Sequence, residues 1–448
     1  MKEPLVAKEK IVNKGSMGEA NGYKLQELYV RAKTSLEKFH EALKDCRLYV
    51  DYTIAKLENA FELRYEAREQ LKEFKCKLIR LLAEAEIQGL QKLTKLVKAL
   101  EGNDYFVRKF GKTIRVYPYR EKWFASISGT AFTAPIHRVS TITPFPNIFK
   151  DMGREELEEL ALGWRASDET YHNGMAAMGT TSLWQLISWC AVRYGRFQIS
   201  ITRIVLTRKS PPSLVWSAVS LDHVQRLSRK EAWARILELY SRGKRLPLLT
   251  LYLGDGIVEQ FALQNKRLRL SIAVKKELLP PNGEVIGYWY NYQLIIWGKK
   301  AQQLAREIIA DSKEYGKLLD LLKSPKWTYL KSLAEYKRTR NPWRITINGI
   351  KWTLTLAGKG VYAYINCKTK EELQDILDIL HKNYLSINYY NFGRGYRIYL
   401  STRALMEIAK RDPNVKSAIM EFLWYKARYG KERVRIRAQK QLQKFQHL

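Results

Sequence analysis

The stretch that decides the fold is LLTLYLGDG, residues 248–256, an apolar run that ends abruptly in Gly-Asp-Gly. Such a run predicts a short helix that is buried on all sides and stops at the glycines. The helix carries one carboxylate, that of Asp255, to its C-terminal tip, where it is suited to hold a divalent cation at an interface. The alternative is an ordinary helix stop, because Gly-Asp-Gly is also a common turn sequence.

A second segment, ALGWRASDE at residues 161–169, has the same features in a weaker form. It follows the helical pattern REELEELAL, with a glycine at its third position and an aspartate at its eighth. Small residues four apart on one face let two helices approach closely. Gly163 and Ser167 meet this requirement in the first segment, as Thr250 and Gly254 do in the second. We therefore predict that the two helices pack side by side through these four residues, each bringing one carboxylate to a shared site.

Residues 248–256 resemble the LAGLIDADG motif of homing endonucleases, with Asp255 at the acidic position, and residues 161–169 resemble a degenerate copy with Asp168 there. The resemblance implies an α+β fold of two αββαββα repeats that form a saddle-shaped body on double-stranded DNA. It implies further that Asp168 and Asp255 are catalytic and hold Mg²⁺ or Mn²⁺ in a site-specific endonuclease. The two aspartates are 87 residues apart, which leaves room for one repeat within a single chain.

The first copy departs from the motif at three positions. Trp164 and Arg165 replace aliphatic residues, and Glu169 replaces the final glycine. These departures favour one alternative, a nucleic-acid-binding or maturase-like protein of the same fold that binds DNA or RNA without cleaving it. A further alternative is a coiled-coil structural protein with a basic surface.

The charge of the chain favours a polyanionic partner. There are 78 Lys and Arg residues against 45 Asp and Glu, a formal net charge of +33 and an isoelectric point near 9.8 in 448 residues. Contacts with phosphates supply most sequence-independent affinity for nucleic acid, so double-stranded DNA is the expected partner and RNA a possible one. A ribosome-associated or membrane-surface protein is the alternative that charge alone leaves open.

Other classes of protein are disfavoured. No apolar run reaches the ~18 residues of a membrane span, and the N-terminus lacks an apolar signal core, so we expect an intracellular protein of the cytoplasm or nucleoid. The four cysteines are scattered without a CxxC pair, which disfavours a disulfide framework or zinc site. No phosphate-binding GxxxxGK[ST] loop and no HExxH motif occurs, so metal-assisted hydrolysis through two carboxylates is the mechanism that the residues favour.

The N-terminal part of the chain predicts a long helical extension. Residues 1–22 are polar and predict a disordered N-terminus. Residues 23–101 are free of proline, and their apolar residues follow a seven-residue repeat that is broken at Arg64. This pattern predicts a coiled coil, which either joins two chains in a homodimer or folds back as a hairpin on the body.

The remaining sequence predicts alternating strands and helices. An Asn-Gly pair at Asn348 and Gly349 predicts a β-hairpin, and Thr369 with Glu372 predicts a capped helix after it. The predicted domains are a small β-rich segment at 102–150, a first repeat at 151–245, a second repeat with an insertion at 246–425 and a basic C-terminal helix at 426–448.

Basic residues on predicted strands are candidates for contacts with nucleic acid. In KRLRLSIAVKK, Arg267 and Arg269 alternate with apolar residues, which places them on the face opposite the core. Lys351, Arg394 and Arg397 have comparable positions in the block after the second motif. The alternative is a solvated charged face that binds nothing.

Overall fold

The computed structural model describes residues 10–12, 19–259, 268–278, 286–336, 343–358, 360–381, 387–391, 393, 395–430 and 432–448. The chain divides into two compact units, Met1–Tyr336 and Lys337–Leu448. Both units combine helices with antiparallel sheets, which confirms the α+β class. Among the described residues, no helix combines the length and apolar character that crossing a membrane requires.

The first unit begins with a helical hairpin made of α1 (Glu19–Ala60) and α2 (Tyr65–Glu101). The two helices are antiparallel, since the Tyr29 hydroxyl of α1 donates a 2.8 Å hydrogen bond to Glu101 at the far end of α2. Arg64 lies exposed in the turn, so the break in the heptad pattern is the point where the chain reverses. Of the two alternatives for residues 23–101, the structure therefore shows the hairpin that folds back within one chain. The apolar seam is buried within one chain, and the predicted homodimer gains no support from it.

The two helices are in close contact at Gly89 of α2. A Cβ atom at Gly89 would overlap with the ring of Phe39 on α1 and would lie 3.1 Å from Cδ1 of Ile204 in the sheet beneath. The glycine therefore lets the hairpin and the sheet share one core.

We predict that Gly89→Ala destabilises the protein, although alanine in place of glycine normally stabilises a helix by ~1 kcal/mol. Overpacking against Phe39 should lower the free energy of unfolding by about 1–3 kcal/mol in a denaturant titration. The same change in a Phe39→Leu background should cost less, because the ring is gone. Equal losses in both backgrounds would contradict the contact.

Ten strands form the first sheet. They are β1 (Lys10–Val12), β2 (Tyr105–Phe110), β3 (Thr113–Pro118), β4 (Ala125–Ser128), β5 (Ala131–Pro135), β6 (Ser140–Phe145), β7 (Glu169–His172), β8 (Met175–Thr180), β9 (Gly195–Val205) and β10 (Ser213–Val224). Their order is β1-β2-β3-β4-β5-β9-β10-β8-β7, with β6 paired to the remaining part of β9.

This order corrects two expectations. The predicted β-rich segment at 102–150 is not separate, because β5 and β6 both pair with β9 of the first repeat. Residues 1–22 were predicted to be disordered, but β1 pairs with β2 and α1 begins at Glu19, so these two parts are ordered. The other residues of this range lie outside the described residues.

Residues 154–241 form the first repeat, in which the elements follow the predicted order of helix, two strands, helix, two strands and helix. Its four strands are neighbours in the order β7-β8-β10-β9. Its helices are α3 (Arg154–Ala166), α4 (Leu183–Val192) and α5 (Arg229–Ser241).

The second repeat also begins with a helix that leads into a sheet of four strands. Its elements are α6 (Leu246–Asp255), β11 (Gly256–Ile257), β12 (Arg269–Ala273), β13 (Tyr288–Tyr290), β14 (Gln293–Trp297), α7 (Gly298–Leu321) and α8 (Pro325–Glu335). The sheet order β11-β12-β14-β13 repeats the order of the first repeat, with the first, second, fourth and third strands as neighbours. The predicted range 246–425 was too long, because it spans two compact units and the elements of the first unit end before Tyr336.

The second unit has its own core. Its elements are β15 (Arg344–Ile347), β16 (Ile350–Ala357), β17 (Gly360–Cys367), α9 (Lys370–His381), β18 (Asn388–Asn391), β19 (Tyr396–Leu400), α10 (Thr402–Arg411), α11 (Pro413–Tyr429) and α12 (Glu432–Gln446). The strand order is β15-β16-β17-β19-β18.

Two local predictions for the second unit are confirmed and one is corrected. Asn348 and Gly349 form the hairpin turn with positive φ angles of 51° and 75°, and Thr369 Oγ1 accepts a 3.2 Å hydrogen bond from the Glu372 amide at the start of α9. The basic segment 426–448 is not one helix, because its first residues end α11. Helix α12 packs into the core through Ala438, Leu442 and Phe445.

Candidate metal centre

Helices α3 and α6 pack side by side with no side chain between them at two points. A Cβ atom on Gly163 would overlap with the carbonyl oxygen of Pro247 and the hydroxyl of Thr250. One turn further on, a Cβ atom on Gly254 would overlap with the Ser167 side chain. The four small residues predicted from the sequence therefore face each other in the predicted pairs.

Hydrogen bonds hold the two backbones in this position. Thr250 Oγ1 donates a 2.6 Å hydrogen bond to the carbonyl oxygen of Leu160 on the other helix. Ser167 Oγ donates at 2.9 Å to the Gly163 carbonyl oxygen of its own helix, which satisfies the hydroxyl inside the buried interface. The pair is buried, since every residue of α6 before its terminal aspartate is buried. A helix that is apolar on all sides is stable only in such surroundings.

The two motif aspartates stand at the C-terminal ends of this helix pair. Asp255 is the last residue of α6, and Asp168 follows Ser167 at the end of α3. Burial raises the pKa of the Asp168 carboxyl. Burial and, to a smaller degree, the negative charge of Asp168 raise the pKa of Asp255 to about 6. The two carboxyl groups thus lie in poorly solvated surroundings, where the charge of Asp168 disfavours the ionisation of Asp255.

Gln185 of α4 connects the two motif ends. Its side-chain nitrogen donates to Asp168 Oδ2 at 3.2 Å and to the Leu253 carbonyl of α6 at 3.0 Å. Thr180 Oγ1 donates at 2.6 Å to the other end of the amide and so fixes its orientation. Gln185 was not predicted from the sequence. Its signal is a glutamine within the otherwise apolar stretch LWQLI.

Two cations complete the surroundings of the aspartates. Lys326 of α8 donates to the Gly254 carbonyl, and both its charge and that of Arg229 lower the pKa values of Asp168 and Asp255 against the larger effect of burial. Burial in turn lowers the pKa of the Lys326 ammonium group. Neither residue was predicted, because each comes from the last part of a repeat and reaches the site only through the fold.

The three departures from the motif each have buried partners. Trp164 Nε1 donates to the Tyr315 hydroxyl at 3.3 Å, and Arg165 donates to the backbone carbonyl of Glu169 at 3.0 Å. The Glu169 carboxylate is fully buried and accepts two hydrogen bonds from Arg193, at 2.8 and 3.0 Å. Trp189 and Gln225 also donate to it. Glu169 therefore anchors the end of α3 where the motif would have a glycine.

The donor set around the aspartates fits a hydrated divalent cation. Over the described residues, no three His, Cys, Asp or Glu side chains converge as a ligand group. Mg²⁺ keeps several waters and is usually held by one or two carboxylates together with phosphates of the substrate. Lys326 and Arg229 offset the two buried carboxylates only in part, since burial still raises both pKa values, and a cation between the carboxylates would supply further positive charge. Asp168 and Asp255 are the residues that would hold it.

The basic residues predicted to bind nucleic acid have different surroundings. Arg269 is half-buried, forms an ion pair with Glu259 (3.0 Å) and lies over the ring of Trp297, and its contact with DNA stays a prediction. Lys351 is exposed on β16, and Arg397 is half-buried on β19. The predictions for Arg267 and Arg394 lie outside the described residues.

Comparison with protein-family models, curated proteins and solved structures finds no match for this chain.

Ionisation of the paired aspartates should affect stability as a function of pH. The folded-state pKa of Asp255 is about 6, which is above the value of an ordinary aspartate. The protonated carboxyl therefore contributes fully to the free energy of unfolding below about pH 4, and this contribution is lost as the pH rises through 6. In EDTA at pH 8, Asp255→Asn should therefore raise the free energy of unfolding by about 1–3 kcal/mol, and at pH 4 it should have little effect. Denaturant titrations at both pH values measure the difference. The exposed Asp151→Asn is the matched control, and no gain at pH 8 would contradict a strained carboxylate pair.

The buried ion pair of Glu169 should be costly to break. Glu169→Gln leaves the Arg193 guanidinium buried without its counter-charge and should lower the free energy of unfolding by about 3–5 kcal/mol. Glu158→Gln removes an exposed ion pair with Arg154 on the same helix and should cost well under 1 kcal/mol. Similar losses for the two variants would show that Glu169 does not anchor the motif.

Proposed function

We propose that the first unit is a metal-dependent DNA endonuclease of the LAGLIDADG type. The observation that carries the proposal is the close pairing of α3 and α6, which brings the Asp168 and Asp255 carboxylates together beside Lys326. The repeated strand order in the two sheets supports it, because two motif helices of this type each lead into one half of the body.

Each residue of the site has a part in this proposal. Asp168 and Asp255 would hold the divalent cation, and Gln185 donates a hydrogen bond that orients the Asp168 carboxylate. When bound, a divalent cation neutralises charge on the scissile phosphate and activates water. Lys326 is placed to stabilise the negative charge that develops on the phosphoryl oxygens, since its ammonium group is held beside both carboxylates.

The outer face of the first sheet supports a duplex substrate. On β9 and β10 the inward side chains are buried, whereas Gln198, Ser200, Thr202 and Ser217 lie exposed or half-buried on the other face. Short polar side chains leave room for a duplex to approach and can donate to phosphate oxygens or to base edges. The net charge of +33 supplies the long-range attraction.

The test is cleavage of a plasmid library with random inserts, because the recognition sequence is unknown. The library is incubated with the wild-type chain and Mg²⁺ or Mn²⁺, and the ends of the cleaved plasmids are sequenced. These ends should share one recognition sequence. Asp168→Asn and Asp255→Asn should each lower the cleavage rate by ~100-fold or more, since a metal contributes several kcal/mol to the transition state. Asp151→Asn should cleave like the wild type.

The outcomes separate the proposal from the binding-only alternative. Retention of duplex DNA without metal-dependent cleavage would favour a maturase-like binding protein. Cleavage that persists in both aspartate variants would place the catalytic centre elsewhere and overturn the proposal.

A further inference from the structure

The sheet of the second unit has one face that its helices leave open. Trp352, Ile398 and Leu400 point into a core that they share with helices α9–α12. Because side chains alternate along a strand, the residues between them lie on the opposite face. The buried residues Val361 and Ala363 of β17, for example, flank Tyr362, and Tyr364 follows Ala363.

This opposite face, which we call the tyrosine face, carries Tyr362, Tyr364, Tyr390 and Tyr399 on three neighbouring strands. Tyr364 lies directly opposite Tyr399 in the register of β17 and β19. The ring of Tyr399 is 6.4 Å from that of Tyr362 and 6.1 Å from that of Tyr390. None of the four rings is buried, so all contribute to one solvent-accessible surface.

Arg397 lies among these rings. Its guanidinium carbon is 4.5 Å from the ring centre of Tyr364 and 6.0 Å from that of Tyr390. It donates to Asn366 Oδ1 at 2.8 Å and to the Tyr390 hydroxyl at 3.2 Å. The arginine is thus held in place before any ligand arrives, which lowers the entropic cost of binding.

The surroundings of the tyrosine face are positively charged. Lys351 and Arg344 are exposed on β16 and β15. None of the five strands of this sheet contains an aspartate or a glutamate. A polyanion that lies across these strands would meet only neutral and basic side chains there.

We propose that the tyrosine face binds a single-stranded nucleic acid, with unpaired bases stacked on the tyrosines and phosphates beside Arg397 and Lys351. Stacking on aromatic side chains in a basic groove is how proteins hold unpaired strands without strict sequence preference. A duplex keeps its bases stacked on each other and so offers no base face to these rings. The first sheet provides the contrast within the same chain, because its outer face on β9 and β10 carries Ser200, Ser217 and Gln198 in place of aromatic rings.

This binding activity does not rest on the proposed nuclease function. The tyrosine face belongs to a unit with a separate core, and the motif aspartates lie in the other unit. Experiments in EDTA therefore test the tyrosine face even if the chain cleaves no DNA, and the cleavage experiment stands if the tyrosine face binds nothing.

The experiment is fluorescence anisotropy with the full chain in EDTA and about 0.5 M salt, where contacts that depend only on phosphates are weakened. The probes are labelled ten-nucleotide oligouridylate, ten-nucleotide oligothymidylate and a twenty-base-pair duplex. Tyr364→Leu should weaken binding of the single strand by roughly 5- to 100-fold, the range expected for the loss of one stacked base. Tyr364→Phe keeps the ring and should bind nearly as well as the wild type.

Tyr429→Leu is the matched control, since Tyr429 is 63 % exposed on α11 of the same unit and lies off the sheet. It should leave affinity unchanged. Binding of either oligonucleotide that depends on the Tyr364 ring supports the proposal, and the tighter of the two identifies the preferred sugar. Equal effects of Tyr364→Leu and Tyr429→Leu on the single strand, a loss of duplex affinity in Tyr364→Leu as large as the loss of single-strand affinity, or no single-strand binding would overturn it.

Discussion

The close approach of α3 and α6 is the constraint on which the rest of the first unit depends. Gly163 and Gly254 let two helical backbones touch, and Thr250 and Ser167 satisfy their hydroxyls on backbone carbonyls within the contact. Each helix is the first element of a repeat, so the contact between α3 and α6 also joins the two repeats. A larger residue at either glycine would separate the helix ends and the carboxylates that they carry.

This geometry has an electrostatic cost that the surrounding residues offset in part. Two carboxylates are kept in poorly solvated positions, and Lys326, Arg229 and Gln185 compensate them with charge and a hydrogen bond. Sites that hold like charges close together are often functional sites, where a bound ligand supplies the opposite charge. The buried ion pair of Glu169 and Arg193 stands beside them and fixes the end of α3 without removing this strain.

Sequence alone predicted the paired helices, because the requirement for small residues four apart is local and can be read directly at Gly163 and Gly254. It also predicted the α+β class and the hairpin at Asn348, whose turn chemistry is equally local. It did not predict Lys326, because that residue reaches the site through the fold of a whole repeat. It also did not predict the buried contacts of Glu169, since its partners Arg193 and Gln225 lie far along the chain.

The domain boundaries were harder to predict from the sequence, for a related physical reason. Strands β16, β17, β19 and β18 repeat the neighbour order found in the first two sheets, so their sequence pattern looks like the continuation of a repeat. The division after Tyr336 follows from contacts, which a linear pattern does not contain.

The central claim is that the Asp168 and Asp255 carboxylates form one cation site. The most direct measurement is anomalous diffraction from crystals of the chain soaked in Mn²⁺. We predict an anomalous peak in contact with both carboxylates, and its loss in crystals of Asp255→Asn grown and soaked in the same way. A wild-type structure in which Lys326 bridges the two aspartates and no manganese peak lies beside them would contradict the account.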